Sequence, residues 1–239
     1  MTEPVRLSKR LIELIQCSRN EAEQYIEGGW VLVDGEVVDE PQFKVEDETV
    51  ELHPDAVLTP VEPMTLLLHM PTPYNLADPT GPLKLMTPET RSEDDPSGFR
   101  TLKRHFARLM PTMPLEAGAT GLLAFTQDRR VVTRLVDDAE KNEQEYNVDV
   151  SGTIVAKGLV KLNRSMTLNG WPLAPAKVSW QSETRLRFAL KNVRAGQIEF
   201  MCKSVGLTVV AMKRIRIGRV PMGRLPLGQW RYLPQGILF

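Results

Sequence analysis

Leu7, Leu11, Leu14 and Ile15 recur at helical spacing, and Ser18 followed by Glu21 has the form of a capping box. Two short helices are therefore expected, the second stopped by Gly28 and Gly29. Behind them, Trp30-Val-Leu-Val and Glu36-Val-Val flank Asp34-Gly35, a dipeptide that favours a two-residue hairpin turn because both positions tolerate positive φ. Residues 1–58 thus read as a helix, helix, hairpin unit, with the proline-rich stretch 54–63 as the linker to the rest. Beyond it, the stretch from Pro71 to Phe99 contains six prolines and is expected to hold little regular structure. The pattern at 101–110 predicts a helix with Leu102, Phe106 and Leu109 on one face. Residues 122–126 read as a buried strand and 127–138 as a helix. Strand-like runs follow at 146–155, 185–190 and 207–217, with a helix over 197–205 closed by Gly206. Many strands and few helices imply an α+β domain over 59–239, built on a mixed or antiparallel sheet.

Composition narrows the class. With 42% apolar and 25% charged residues the chain suits a folded soluble protein, and it has no run of about 18 apolar residues able to cross a bilayer. The N-terminus has charges but no apolar segment behind them, so a signal peptide is not expected. Cys17 and Cys202 have neither metal-ligand nor disulfide-framework spacing, which fits a reducing cytoplasm and no metal. Formal charge sums to zero, but from Lys157 to Phe239 fifteen Lys and Arg face only Glu183 and Glu199. A cationic block of that kind suits a polyanion partner, since each base that displaces counterions adds affinity. Its bland counterpart is a solvated face that balances the acidic first part of the chain.

Three segments of the small unit, R-L-S-K-R-L at 6–11, S-R-N-E-A at 18–22 and I-E-G-G-W-V-L-V-D-G at 26–35, resemble the S-four-type RNA-binding domain. That domain is shared by a small-subunit ribosomal protein, tyrosyl-tRNA synthetases and many RNA-modifying enzymes. The resemblance implies backbone contacts to RNA from the basic helix edge, at Arg6, Lys9, Arg10 and Arg19. Such contacts position a protein without reading sequence.

The remainder resembles the pseudouridine synthases that act on small- and large-subunit ribosomal RNA. The matching segments are P-L-E-A-G-A-T-G-L-L-A-F-T-Q-D at 114–128, E-Y-N-V at 145–148, Q-I-E-F-M-C-K-S-V-G-L at 197–207 and the tail from Lys213 to Leu233. They run in family order over nearly the whole chain. The resemblance implies extrusion of a uridine from folded RNA, since the reacting atoms are hidden in the stack. One carboxylate would then help to cleave and rejoin the base, without cofactor or metal, while the base is held on an aromatic ring. By alignment the ring is Tyr146 and the carboxylate Glu116, where the family carries aspartate. Arg194, Lys213, Arg214 and Arg216 are the expected RNA contacts of the large domain, the partner is structured RNA, above all ribosomal RNA, and the protein is expected to be a monomer.

Several positions depart from the family pattern together. Its arginine before the aspartate aligns with Pro114, its basic residue before the tyrosine with Gln144 and its early lysine with Met70. Its N-R pair aligns with Ala195 and Gly196, the following R-R with Glu199 and Phe200, and the motif threonine with Ala119. Cations around the expected carboxylate are thus replaced by neutral or acidic groups, which favours a neutral buried acid. Two readings follow: an RNA-binding family member with impaired or absent catalysis, serving in ribosome assembly or RNA binding; or an active synthase in which Glu116 does the work of aspartate.

Overall fold

The computed structural model describes residues 3–71, 78 and 81–239. It divides into two compact units, Met1–Pro63 with Phe99–Leu109, and Met64–Gly98 with Met110–Phe239. A division at residue 58 leaves segment 99–109 with the large domain, whereas here it folds onto the small unit. Arg104 pairs with Glu27 and Lys103 with Glu40, and Arg100 stands over the Trp30 ring at 5.6 Å. The predicted helix at 101–110 shrinks to a 3-10 turn, Lys103–Phe106. Extended backbone at Ala107 and a left-handed Arg108, φ 54°, end it there.

The rest of the small unit follows the sequence pattern. Helices Leu7–Ile15 and Arg19–Glu27 pack together, the second held by the capping box: Glu21 N donates to Ser18 Oγ at 3.3 Å, and Ser18 N to Glu21 Oε2 at 2.7 Å. The hairpin Val31–Val33 and Glu36–Val37 turns on Asp34 and Gly35, at φ 50° and 83°, and Val50–Leu52 pairs along its other edge. Leu7, Leu11, Ala22, Ile26, Val31, Val33 and Val45 form its core.

The large unit is α+β, with a mixed sheet at its centre. Across it, in order, run Lys177–Ser182, Arg185–Lys191, Glu143–Gly152, Leu207–Ile217, Ala119–Thr126, Thr65–Met70 and Trp230–Tyr232. Neighbours are antiparallel except Leu207–Ile217 and Ala119–Thr126, which run parallel. At that parallel contact Gly121, φ 103°, lets two backbones meet: a Cβ there would lie 2.3 Å from the Arg214 carbonyl oxygen. Leu67, Leu122, Ala124, Leu135, Ile217, Val220 and Phe239 share one core cluster.

Three expected elements differ. The helix at 127–138 begins at the Asp128 cap but runs only Arg129–Val132 before a π turn, Thr133–Asp137, in which Leu135 is fully buried. The strand expected at 146–155 is Glu143–Gly152 and ends on Gly152 at φ 98°. The proline-rich stretch holds two 3-10 turns, Gly81–Leu85 and Pro88–Thr90, while residues 72–77, 79 and 80 of that expectation lie outside the described residues. Among the described residues no helix is long and apolar enough to cross a membrane.

Candidate active site

Tyr146 sits in the middle of Glu143–Gly152, opposite Phe188 on one side and Arg214 on the other. Strand alternation puts Gln144 on the Tyr146 face and Glu145, Asn147 and Asp149 on the opposite one. Ala119–Thr126 is preceded by the turn that carries Pro114, Leu115 and Glu116. These side chains surround a cavity of about 250 Å³, whose walls include Glu116, Pro114, Gln144, Tyr146, Val193 and Ala195. The expected carboxylate and the expected ring therefore face one space.

Glu116 is only 6% exposed. Burial pushes its carboxyl up to about 7, against the backbone N–H groups of Ile198, Gln197 and Gly196, which favour the anion, and with a further upward push from Glu199. The Ile198 N–H reaches Glu116 Oε1 at 3.4 Å. Among the described residues no Lys, Arg or His forms an ion pair with Glu116. Five departures scattered along the sequence converge here. Pro114, Gln144 and Ala195 line the cavity, Gly196 offers its N–H, and Glu199 adds like charge. Met70 and Phe200 are not among its walls.

Arg214 lies beside the tyrosine, and four of its five N–H donors are taken. It is fully buried, with Nε bonded to Leu122 O (2.8 Å), Nη1 to Pro114 O (2.9 Å) and to Gln144 Oε1 (2.8 Å), and Nη2 to Met113 O (2.8 Å). Gln144 Oε1 also accepts the Tyr146 hydroxyl at 3.1 Å, so one amide oxygen ties the ring to the guanidinium. Burial raises the Tyr146 phenol, and Arg214 opposes the rise.

Only some of the RNA contacts expected in this unit stand at the surface. Arg214 cannot reach a phosphate, because the fold encloses it and occupies its donors. Arg216, two residues on, would share its face in a regular strand, but a register shift between the two pairs Arg214 with Tyr146 and Arg216 with Glu145. Arg216 thereby lies on the opposite face, bonded to Glu145 Oε2 at 2.5 Å and Glu143 Oε1 at 2.6 Å, where Arg187 also meets Glu145 and Arg185 meets Asp149. Three of the block's fifteen cations, Arg185, Arg187 and Arg216, thus pair with acids of the neighbouring strand. Lys213 is half-buried, and Arg194 is exposed beside the cavity wall. In the small unit Arg6, Lys9, Arg10 and Arg19 are all exposed, and Arg19 pairs with Glu23 at 2.8 Å.

Two features escaped the sequence reading. The carboxyl-facing N–H groups at 196–198 leave no side-chain signature. The small hairpin Thr167–Leu168 and Trp171–Pro172 did leave one, the Asn169-Gly170 dipeptide, with φ 50° and 81°. Among the described residues no group of three or more His, Cys, Asp or Glu side chains is placed to hold a metal ion.

One unit is thus a mixed sheet with a buried acid and a tyrosine on one cavity, and the other a helix, helix and hairpin module. Residues 5–50 match the S4 domain family. Over 235 residues the chain is 30% identical to an uncharacterized RNA pseudouridine synthase of Aquifex aeolicus, covering 97% of this chain and 93% of that one. It is 28% identical to the dual-specificity RNA pseudouridine synthase RluF of Escherichia coli, over 96% of this chain and 75% of that one. It is 26% identical to the ribosomal small subunit pseudouridine synthase A of Vibrio cholerae, over 97% and 96%. A crystal structure of a pseudouridylate synthase shares the fold, with TM-score 0.59 at 19% identity over 97% of this chain and 96% of the other. The chain belongs to the RNA pseudouridine synthase family, with an S4 RNA-binding domain at its N-terminal end.

Proposed function

We propose that this protein binds structured ribosomal RNA, as a cytoplasmic monomer, and that its capacity to isomerise uridine is impaired or absent. One observation carries the reading: the buried Glu116 carboxyl shares a cavity with Tyr146 and, among the described residues, has no cationic partner. A buried acid that titrates near 7 is protonated in half of the molecules at neutral pH, and a protonated acid is no nucleophile or base. The extra methylene relative to aspartate adds misplacement, and an error of about 1 Å in a catalytic group costs ~100-fold in rate. Arg214 offers no remedy, since carbonyls and Gln144 hold its guanidinium in place. The RNA contacts fall to Arg6, Lys9, Arg10 and Arg19 in the S4 domain, with Arg194 and Lys213 in the large unit.

A second reading, retained activity with Glu116 as the catalytic acid, is favoured by the shared cavity of Glu116 and Tyr146. One experiment separates the two. Pseudouridines are mapped in ribosomal RNA from cells with and without the gene, and purified protein is incubated with the same RNA. The proposal expects identical maps and RNA binding that survives Glu116→Ala. A site lost with the gene and with Glu116→Gln would overturn it in favour of the active enzyme.

A further inference from the structure

Trp171 is 61% exposed, which is unusual for the largest apolar side chain, and it is not loosely placed. It stands opposite Leu168 in the Thr167–Leu168 and Trp171–Pro172 hairpin, whose return is pinned by Leu173 N to Met166 O at 2.8 Å and by the buried side chain of Leu173. The Arg194 guanidinium lies over the indole at 5.4 Å from the ring centroid. Arg194 sits between Val193 and Ala195, both walls of the Glu116 and Tyr146 cavity. Its own backbone is fixed, its N–H bonded to Gln197 Oε1 and its carbonyl accepting from Gln197 N, each at 3.0 Å. A solvent-facing aromatic ring with a cation on it thus stands against the segment whose Val193 and Ala195 line the cavity.

We propose that Trp171, backed by Arg194, is a stacking platform for an unpaired base of the bound RNA, next to the nucleotide that enters the cavity. The inference rests on the RNA-binding reading above and is independent of whether catalysis survives. Unpaired bases are held by stacking on aromatic rings and on guanidinium planes, and every base offers a π face. Arg194 adds attraction for the adjoining phosphate and holds the ring in one orientation by cation–π contact. Inside a duplex every base face is covered by its neighbours, so the platform selects single-stranded loops, bulges and overhanging ends.

Binding is measured for wild type, Trp171→Ala, Trp171→Phe and Arg194→Gln with two labelled probes, a short oligouridylate and a blunt RNA duplex. Trp171→Ala is expected to weaken oligouridylate binding about tenfold while leaving the duplex unchanged, and Trp171→Phe to stay within about threefold of wild type. Oligouridylate should quench tryptophan fluorescence in wild type and lose most of that quenching in Trp171→Phe. The proposal is overturned if Trp171→Ala matches wild type on oligouridylate, if both probes weaken equally, or if wild type binds the duplex but not the unpaired strand. If wild type binds neither, the RNA-binding reading falls with it.

Discussion

Replacing Glu116 by Gln isolates the energetic consequence of burying an acid without a cation. The folded carboxyl titrates near 7 and the unfolded one near its ordinary 4.5, a rise of roughly 2.5, and at about 1.4 kcal/mol each this amounts to about 3 kcal/mol. The sign is unfavourable to the ionised protein. Below about pH 4.5 both states are protonated and nothing is lost. Between there and pH 7 the unfolded chain releases a proton that the folded chain keeps, so stability falls as pH rises, and above 7 the deficit is constant. Glutamine has the same shape, accepts the Ile198 N–H and never ionises. Urea unfolding of both proteins across about pH 5 to 8.5, followed by a signal from the large unit, should show glutamine gaining on glutamate up to about 3 kcal/mol in favour of the variant. A difference independent of pH, or one in which glutamate gains as pH rises, would show that the anion has a stabilising partner and would remove the basis for impaired catalysis.

Arg214→Met removes a guanidinium that satisfies three backbone carbonyls and Gln144, and is expected to cost about 3–5 kcal/mol in urea unfolding of the large unit. Gly121→Ala places a methyl group 2.3 Å from the Arg214 carbonyl at a positive φ, so the variant should lose at least ~3 kcal/mol or fail to accumulate as folded protein, read by near-ultraviolet circular dichroism. Ser18→Ala removes the hydroxyl half of the capping box, and the small unit should lose about 1 kcal/mol, measured as a lowered unfolding midpoint. Neutralising Arg6, Lys9, Arg10 and Arg19 together should flatten the dependence of log affinity on log salt by about 3 for structured RNA, and an unchanged slope would take these residues out of the interface.

Local chemistry was legible from the residues alone. The capping box at Ser18 and Glu21 and the Asp34-Gly35 turn formed as their patterns required, because caps and turns act over a few neighbouring bonds. The ordered motifs also put Glu116 and Tyr146 forward, and these two line one cavity with Pro114, Gln144 and Ala195, three of the chain's departures from the family pattern. Tertiary structure alone decided the rest. Segment 99–109 packs onto the small unit with a single 3-10 turn where a helix was expected, and the helix expected at 127–138 gives way to a π turn in which Leu135 is buried. A one-residue register shift put Arg214 beside Tyr146 and Gln144, buried, and Arg216 on the far face, a separation invisible in a spacing of two. The placement of each charge was hidden for the same reason. Composition counts every cation alike, while the fold spends Arg185, Arg187, Arg214 and Arg216 on its own carboxylates and carbonyls and leaves others, such as Arg194, at the surface.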